Sequence, residues 1–243
     1  MFGIPGIQIY GIVAAIRDEP GIRMITTRHE QATTYMADGY ARASGKPGVA
    51  LVVPGVGLYN AASGLTNAYS RSTPVLLIAG QIPRGAIGKN RGAVHEIADQ
   101  AGAVRSVTKW QGQASRPREV PDAVSEAFRQ MRTGRPRPAL LEIPPEVGVE
   151  REDVEIRSPV HVSRIVPSRE ALKEAAQVVA RSRLPLIYAG AGWRDQTPKQ
   201  RSSVWPRRRR YPSLLPAGAR VPSPIDIRCP TAPASVPGAR DRR

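Results

Sequence analysis

The sequence predicts an α/β fold: a doubly wound, mainly parallel sheet flanked by helices. Three observations predict it. Short apolar runs alternate with segments whose apolar residues recur at helical spacing. The run at 48–53 is continuously apolar rather than alternating, the pattern of a strand buried on both faces of a parallel sheet, and 74–80 and 138–143 read as further strands of that sheet. Each run is followed by residues that cannot continue it: Pro54-Gly55-Val56-Gly57, then Pro83 and Gly85, then Pro144-Pro145.

In chain order, Ile9, Ile12, Val13 and Ile16 predict an amphipathic helix over 8–18. Residues 22–27 read as a strand. A helix over 29–43 follows, with Ala32, Met36, Gly39, Tyr40 and Ala43 on one side. The strand at 48–53 leads through its Pro-Gly turn into a small-residue helix, Leu58 to Tyr69. After the 74–80 strand comes a loop with Pro83, Gly85, Gly88 and Gly92. A short helix is expected over 95–102, a strand over 104–109, a helix over 118–132 and the last strand at 138–143. Residues 1–150 thus form one domain and 151–167 a linker. Ser168 is an N-cap for a helix carrying Ala171, Leu172, Ala175, Ala176, Val178 and Val179. A strand over 184–189, closed by Gly190-Ala191-Gly192, completes the start of a second α/β domain over 168–193.

The net charge of +16 is unevenly placed. Residues 194–243 hold twelve Lys or Arg against three Asp, which is +9 of the total. They also hold nine prolines and no apolar periodicity, a composition that predicts disorder. Such a mixture, beginning abruptly where another helix is due, reads as the out-of-frame translation of a GC-rich gene. The competing reading is a basic arm whose Arg207 to Arg210 bind nucleic acid. No aromatic-rich RNA motif accompanies it. No apolar run reaches the ~18–20 residues needed to span a bilayer, and the N-terminus has no basic segment before an apolar core. Cys229 stands alone, so no internal disulfide framework exists. The expected compartment is the cytoplasm.

Glu30 is the residue around which chemistry is expected. Taken alone, an acid in the first turn of a helix complements the macrodipole, worth ~0.3–1 kcal/mol. Its neighbours change that reading. Arg28-His29-Glu30-Gln31-Ala32 runs on into Met36-Ala37-Asp38-Gly39-Tyr40-Ala41-Arg42, and the 49–57 segment follows. Phe2-Gly3-Ile4-Pro5-Gly6 precedes them; Pro54, Gly55 and Asn60, the 74–81 strand ending in Gly80-Gln81, and the closing strand from Gly134 to Pro144 come after. In this order the segments resemble the pyrimidine-binding domain of the thiamine-diphosphate (ThDP) enzymes, most closely the acetolactate synthase-like branch. The resemblance covers about residues 2–150 and extends more weakly to 192.

That resemblance implies a catalytic role for Glu30. In the family a carboxylic acid hydrogen-bonded to the pyrimidine N1′ favours the imino tautomer, whose 4′-nitrogen takes the proton from thiazolium C2. It further implies that Pro5, Gly6, Pro54, Gly55 and Asn60 border the cofactor, with Gln81 and His95 on the substrate side. Asn60 reads equally well as a helix-start polar residue, and His95 as a surface histidine. His95 stands unpaired, unlike in the pyruvate decarboxylase branch. The implied cofactor is thiamine diphosphate, held here by its pyrimidine end only. The family's Mg²⁺ and diphosphate belong to a separate domain with a Gly-Asp-Gly…Asn-Asn segment, and this chain's only Asp-Gly is Asp38-Gly39. No residue is therefore expected to bind metal, and FAD enters only as a feature of some full-length members. The implied substrate is a 2-oxo acid such as pyruvate, undergoing carboligation or decarboxylation. The implied partner is a second copy in a homodimer or a chain carrying the diphosphate domain. The expected reading is a truncated, inactive fragment; the alternative is the pyrimidine-domain subunit of a split ThDP decarboxylase.

Overall fold

The computed structural model describes residues 1–162 and 166–183. It divides the chain into two units, Met1–Val166 and Pro167–Arg243. The expected strand at 184–189 and the Arg/Pro-rich tail lie outside the described residues.

The first unit is built on a six-stranded sheet, every pair of which is parallel. Its strands are β1 (Phe2–Gly3), β2 (Ile25–Thr26), β3 (Gly48–Val52), β4 (Val75–Gly80), β5 (Trp110–Gln113) and β6 (Ala139–Ile143), in the order β2-β1-β3-β4-β6-β5. The crossovers carry α1 (Tyr10–Asp18), α2 (Glu30–Ser44), α3 (Val56–Ser70), α4 (Gln100–Ala103) and α5 (Val120–Arg132). Every residue of β4 and β6 is buried. These strands are thus the centre of a doubly wound sheet covered on both faces. On one face Leu77, Ala79 and Leu140 pack with Ala37, Leu58, Ala61 and Leu65. On the other, Leu76, Ile78 and Leu141 pack with Ile9, Ile16, Ala127 and Met131. The odd–even split along β4 follows from the two-residue period of a strand.

Three expectations need correction. The strand predicted over 104–109 is a 3₁₀ turn at Arg105–Val107, and the fifth strand lies beyond it at Trp110–Gln113. Val104 and Val107 gave an apolar pattern there, but both serve the core beneath α3 and not a ladder. The helix predicted over 95–102 is confined to Gln100–Ala103, because Asp99 supplies the N-cap by accepting from the Gly102 N–H at 2.7 Å. The 22–27 strand shrinks to Ile25–Thr26 at the exposed sheet edge, where it pairs with a further strand at Phe2–Gly3.

Helices α2 and α3 pack closely enough for the Thr34 hydroxyl to donate to the Ala61 carbonyl at 2.7 Å, with both residues fully buried. Asn67 Nδ2 joins the same pair of helices by donating to Asp38 Oδ2 at 2.8 Å. Thr34→Val keeps the shape and removes the donor. It should cost about 1 kcal/mol in urea unfolding; an unchanged midpoint would show that this bond adds nothing to helix docking.

In the second unit, α6 (Arg169–Arg181) starts where predicted, capped by the Ser168 hydroxyl, which accepts from the Ala171 N–H at 3.1 Å.

Candidate functional site

Because all strands run the same way, β2, β3, β4 and β6 all deliver their following loops to one edge of the sheet. In open α/β sheets that C-terminal edge is where ligands bind. Glu30 is the first residue of α2, four residues beyond the end of β2. His29 caps the helix: its Nδ1 accepts from the Gln31 N–H at 3.2 Å, and Thr33 Oγ1 donates to the Glu30 carbonyl at 2.6 Å. The start of α2 is therefore fixed on both sides of the glutamate.

The Glu30 carboxyl is half-buried. Its Oε2 accepts from Asn60 Nδ2 at 2.9 Å. Among the described residues its Oε1 has no hydrogen-bond partner. One oxygen is held by the protein and the other is not held by any described residue.

Asn60 reaches Glu30 because α3 begins at the Pro54–Gly55 turn, five residues or about 7.5 Å of helix earlier. Gly55 has φ +57° and ψ −106°, a combination open to glycine and costly for any other residue. A Cβ on Gly55 would lie 2.2 Å from the His95 carbonyl oxygen. This close approach seats the half-buried His95, itself at φ +70°, against the turn. The Pro5–Gly6 loop arrives from the other side. A Cβ on Gly6 would meet Val53 Cγ1 at 2.2 Å, and one on Gly80 would lie 3.1 Å from Pro54 Cδ and 2.8 Å from Ile9 Cγ2. Gly6, Pro54, Gly55 and His95 thus converge at the ends of β3 and β4, with Asn60 and Glu30 linked to them through α3. Pro5 is exposed and shares no hydrogen bond with them. Gln81 is buried at the end of β4, and its Oε1 accepts from the Ile82 N–H at 2.8 Å. It stands beside Glu142 and makes no hydrogen bond to Glu30.

Two buried polar residues at this edge escaped the sequence reading. Gln100 is 3 % exposed; its Oε1 accepts from the Gly55 N–H at 2.8 Å and its Nε2 donates to the Gly80 carbonyl at 2.9 Å. Glu142, 5 % exposed within β6, leaves its Oε1 unpartnered. The signal for Glu142 was in the sequence, as a lone acid in an otherwise apolar strand. Gln100 gave none, since only the fold brings it to Gly55.

Burial pushes the Glu142 carboxyl above the usual carboxylate range; the Gln100 and Gln81 amides pull it back in part, and the charge of Asp99 adds to the rise. The fold therefore favours its neutral form. Stability from this group is full below the ordinary carboxylate pKa and falls as pH rises through the raised value. Glu142→Gln should remove that fall and stabilise the chain by about 1 kcal/mol at pH 7, while changing little at pH 4. Urea midpoints at the two pH values measure it. A variant that tracks the wild type at both would contradict the burial argument.

Among the described residues no group of three or more His, Cys, Asp or Glu is gathered for a metal ion, and no helix is long and apolar enough to cross a membrane.

The helix-borne glutamate and the glycine turn stand at the C-terminal edge of the parallel sheet, where open α/β sheets bind ligands. Residues 1–103 match the family described as thiamine pyrophosphate enzyme, N-terminal TPP binding domain. The chain is 37% identical over 194 residues to a probable 2-ketoarginine decarboxylase of Pseudomonas aeruginosa, an alignment covering 79% of this chain and 34% of that protein. It is 35% identical over 196 residues to the acetolactate synthase large subunit of Lactococcus lactis, again 79% of this chain and 34% of the relative. With the mitochondrial acetolactate synthase catalytic subunit of Saccharomyces cerevisiae the identity is 32% over 207 residues, covering 79% and 29%. The chain thus carries an N-terminal thiamine-diphosphate-binding domain homologous to those of acetolactate synthases and the probable 2-ketoarginine decarboxylase. It spans about a third of the length of these curated relatives.

Proposed function

We propose that residues 1–150 form the pyrimidine half of a thiamine-diphosphate site, serving carboligation or decarboxylation of a 2-oxo acid. The observation that carries this reading is the Glu30 carboxyl at the start of α2, with Oε2 fixed by Asn60 at 2.9 Å and Oε1 without a hydrogen-bond partner among the described residues. Thiamine diphosphate, held at its pyrimidine end by these residues, would supply the carbanion chemistry that such reactions need. Glu30 holds the proton shared with the pyrimidine N1′, and Asn60 keeps the carboxyl in place. Gly6, Pro54 and Gly55 let backbone border the ring without side-chain obstruction, with Pro5 at the outer rim. Gln81 and His95 stand on the substrate side, where His95 can orient a carbonyl.

The metal and diphosphate are assigned to a domain outside residues 1–150. Exposed Tyr35 and Met36 on α2 and Val56 and Tyr59 on α3 support a partner surface next to the site. Residues 151–167 serve as a linker and 168–193 as the start of the central domain. Both 2-ketoarginine, which one relative's name carries, and pyruvate are 2-oxo acids, and they are the first substrates to compare. The test supplies the 243-residue chain with a diphosphate-domain chain, thiamine diphosphate and Mg²⁺, and follows acetolactate or aldehyde formation from each acid. Turnover should need the diphosphate-domain chain. Turnover without it, or none with it from any 2-oxo acid, contradicts the reading.

A further inference from the structure

The C-terminal ends of β3 and β4 leave two buried backbone groups beyond the last rung of their ladder. One is the Gly55 N–H in the turn that starts α3; the other is the Gly80 carbonyl that ends β4. A buried group of this kind must find a partner. Both find the same one. Gln100 accepts from Gly55 at 2.8 Å with its side-chain oxygen and donates to Gly80 at 2.9 Å with its side-chain nitrogen. The side chain is 3 % exposed and fixed at its base by the Asp99 cap of α4. An amide is the one neutral side-chain group of this length that offers an acceptor and a donor side by side. Gln100 therefore extends the sheet by one rung made from a side chain.

What that rung holds is the entry to α3. Gly55 is the N-cap residue of the helix, and five residues along it Asn60 grips Glu30 Oε2. The connection from β4 to Glu30 runs through Gln100, Gly55, α3 and Asn60, each link a named bond or a helix segment. Releasing the Gly55 end lets the start of α3 move along the sheet edge, and Asn60 moves with it. We propose that Gln100 is a positioning residue for the pyrimidine site: it sets the start of α3 against β4 and so places Asn60 and Glu30. This rests on the reading of Glu30 given above.

The test uses the full 243-residue chain, isotope-labelled, as wild type, Gln100→Met and Gln100→Glu. Gln100→Met keeps the length and removes both bonds; Gln100→Glu keeps an oxygen for the Gly55 N–H and loses the nitrogen for Gly80. In Gln100→Met, Gly55 amide exchange should quicken at least about tenfold while Leu77, in the sheet centre, keeps its protection. The Asn60 side-chain amide and Glu30 carboxyl signals should shift, and affinity for thiamine, the probe, should fall about tenfold. Gln100→Glu should fall between the two in every readout, which a general loss of stability would not produce. Unchanged Gly55 exchange in both variants overturns the brace. Asn60 and Glu30 signals that stay at wild-type positions, in a Gln100→Met chain still binding thiamine normally, overturn the positioning role alone. Failure of the wild-type chain to bind thiamine overturns the pyrimidine-site reading instead. Should Gln100→Met not fold, Gln100→Glu decides by the same signals.

Discussion

Glu30→Gln, in the chain supplied with a diphosphate-domain partner, is expected to lower 2-oxo acid turnover by at least ~10²–10⁴-fold while leaving the fold and the thiamine-diphosphate affinity largely intact. The magnitude is that of a positioned proton donor or acceptor removed from its task. The substitution is close to isosteric, and the amide oxygen can still accept from Asn60 Nδ2, now 2.9 Å from Glu30 Oε2. Shape and anchoring therefore survive. What is lost is the acidic proton at the second oxygen, which an amide cannot share with a ring nitrogen. The measurement is acetolactate or aldehyde formation by both variants, with thiamine-diphosphate binding followed in parallel. Equal turnover would remove Glu30 from the chemistry.

Gly55→Ala is expected to have the next largest effect, about 2–3 kcal/mol of stability together with a drop in pyrimidine affinity. Two costs act at once. The backbone angles of +57° and −106° lie where a side chain is strained by ~1–3 kcal/mol. The added methyl would also lie 2.2 Å from the His95 oxygen and 2.9 Å from its carbonyl carbon. Those are backbone atoms, so relief requires the 93–96 segment or the turn itself to move. Urea unfolding and thiamine titration measure the two consequences. A Gly55→Ala chain with wild-type stability would mean that the turn is not held in this conformation.

The reason these effects are local is that the site lies on elements whose type the sequence made plain and whose junctions it did not. The runs at 48–53, 74–80 and 138–143 had to be central strands, because nothing else buries that much apolar surface on both sides. Parallel pairing then brings the residues after each run to one edge. The grouping of Gly6, Pro54, Gly55 and Asn60 with Glu30 could thus be foreseen in outline. Its bonds could not. The Asn60–Glu30 pair spans thirty residues, and the Gln100–Gly55 pair forty-five. Neither spacing has a period to detect. The 104–109 segment misled for the opposite reason: Val104 and Val107 are apolar because they fill the core under α3, and apolar character alone does not distinguish a packed turn from a strand. Phe2–Gly3 was too short to read as a strand, yet its place between β2 and β3 puts the Pro5–Gly6 loop at the site edge.

In the proposed site the Glu30 oxygen not held by Asn60 meets the pyrimidine N1′. The most direct measurement is a nuclear magnetic resonance titration of the chain, carbon-labelled at glutamate and nitrogen-labelled at asparagine. Thiamine is compared with an analogue in which N1′ is replaced by a C–H group. Thiamine should shift the Glu30 carboxyl carbon and the Asn60 side-chain amide in a saturable way, and the analogue, equal in shape, should shift the Glu30 carboxyl far less. Equal shifts from both compounds, or thiamine binding that leaves Glu30 undisturbed, would contradict the claim.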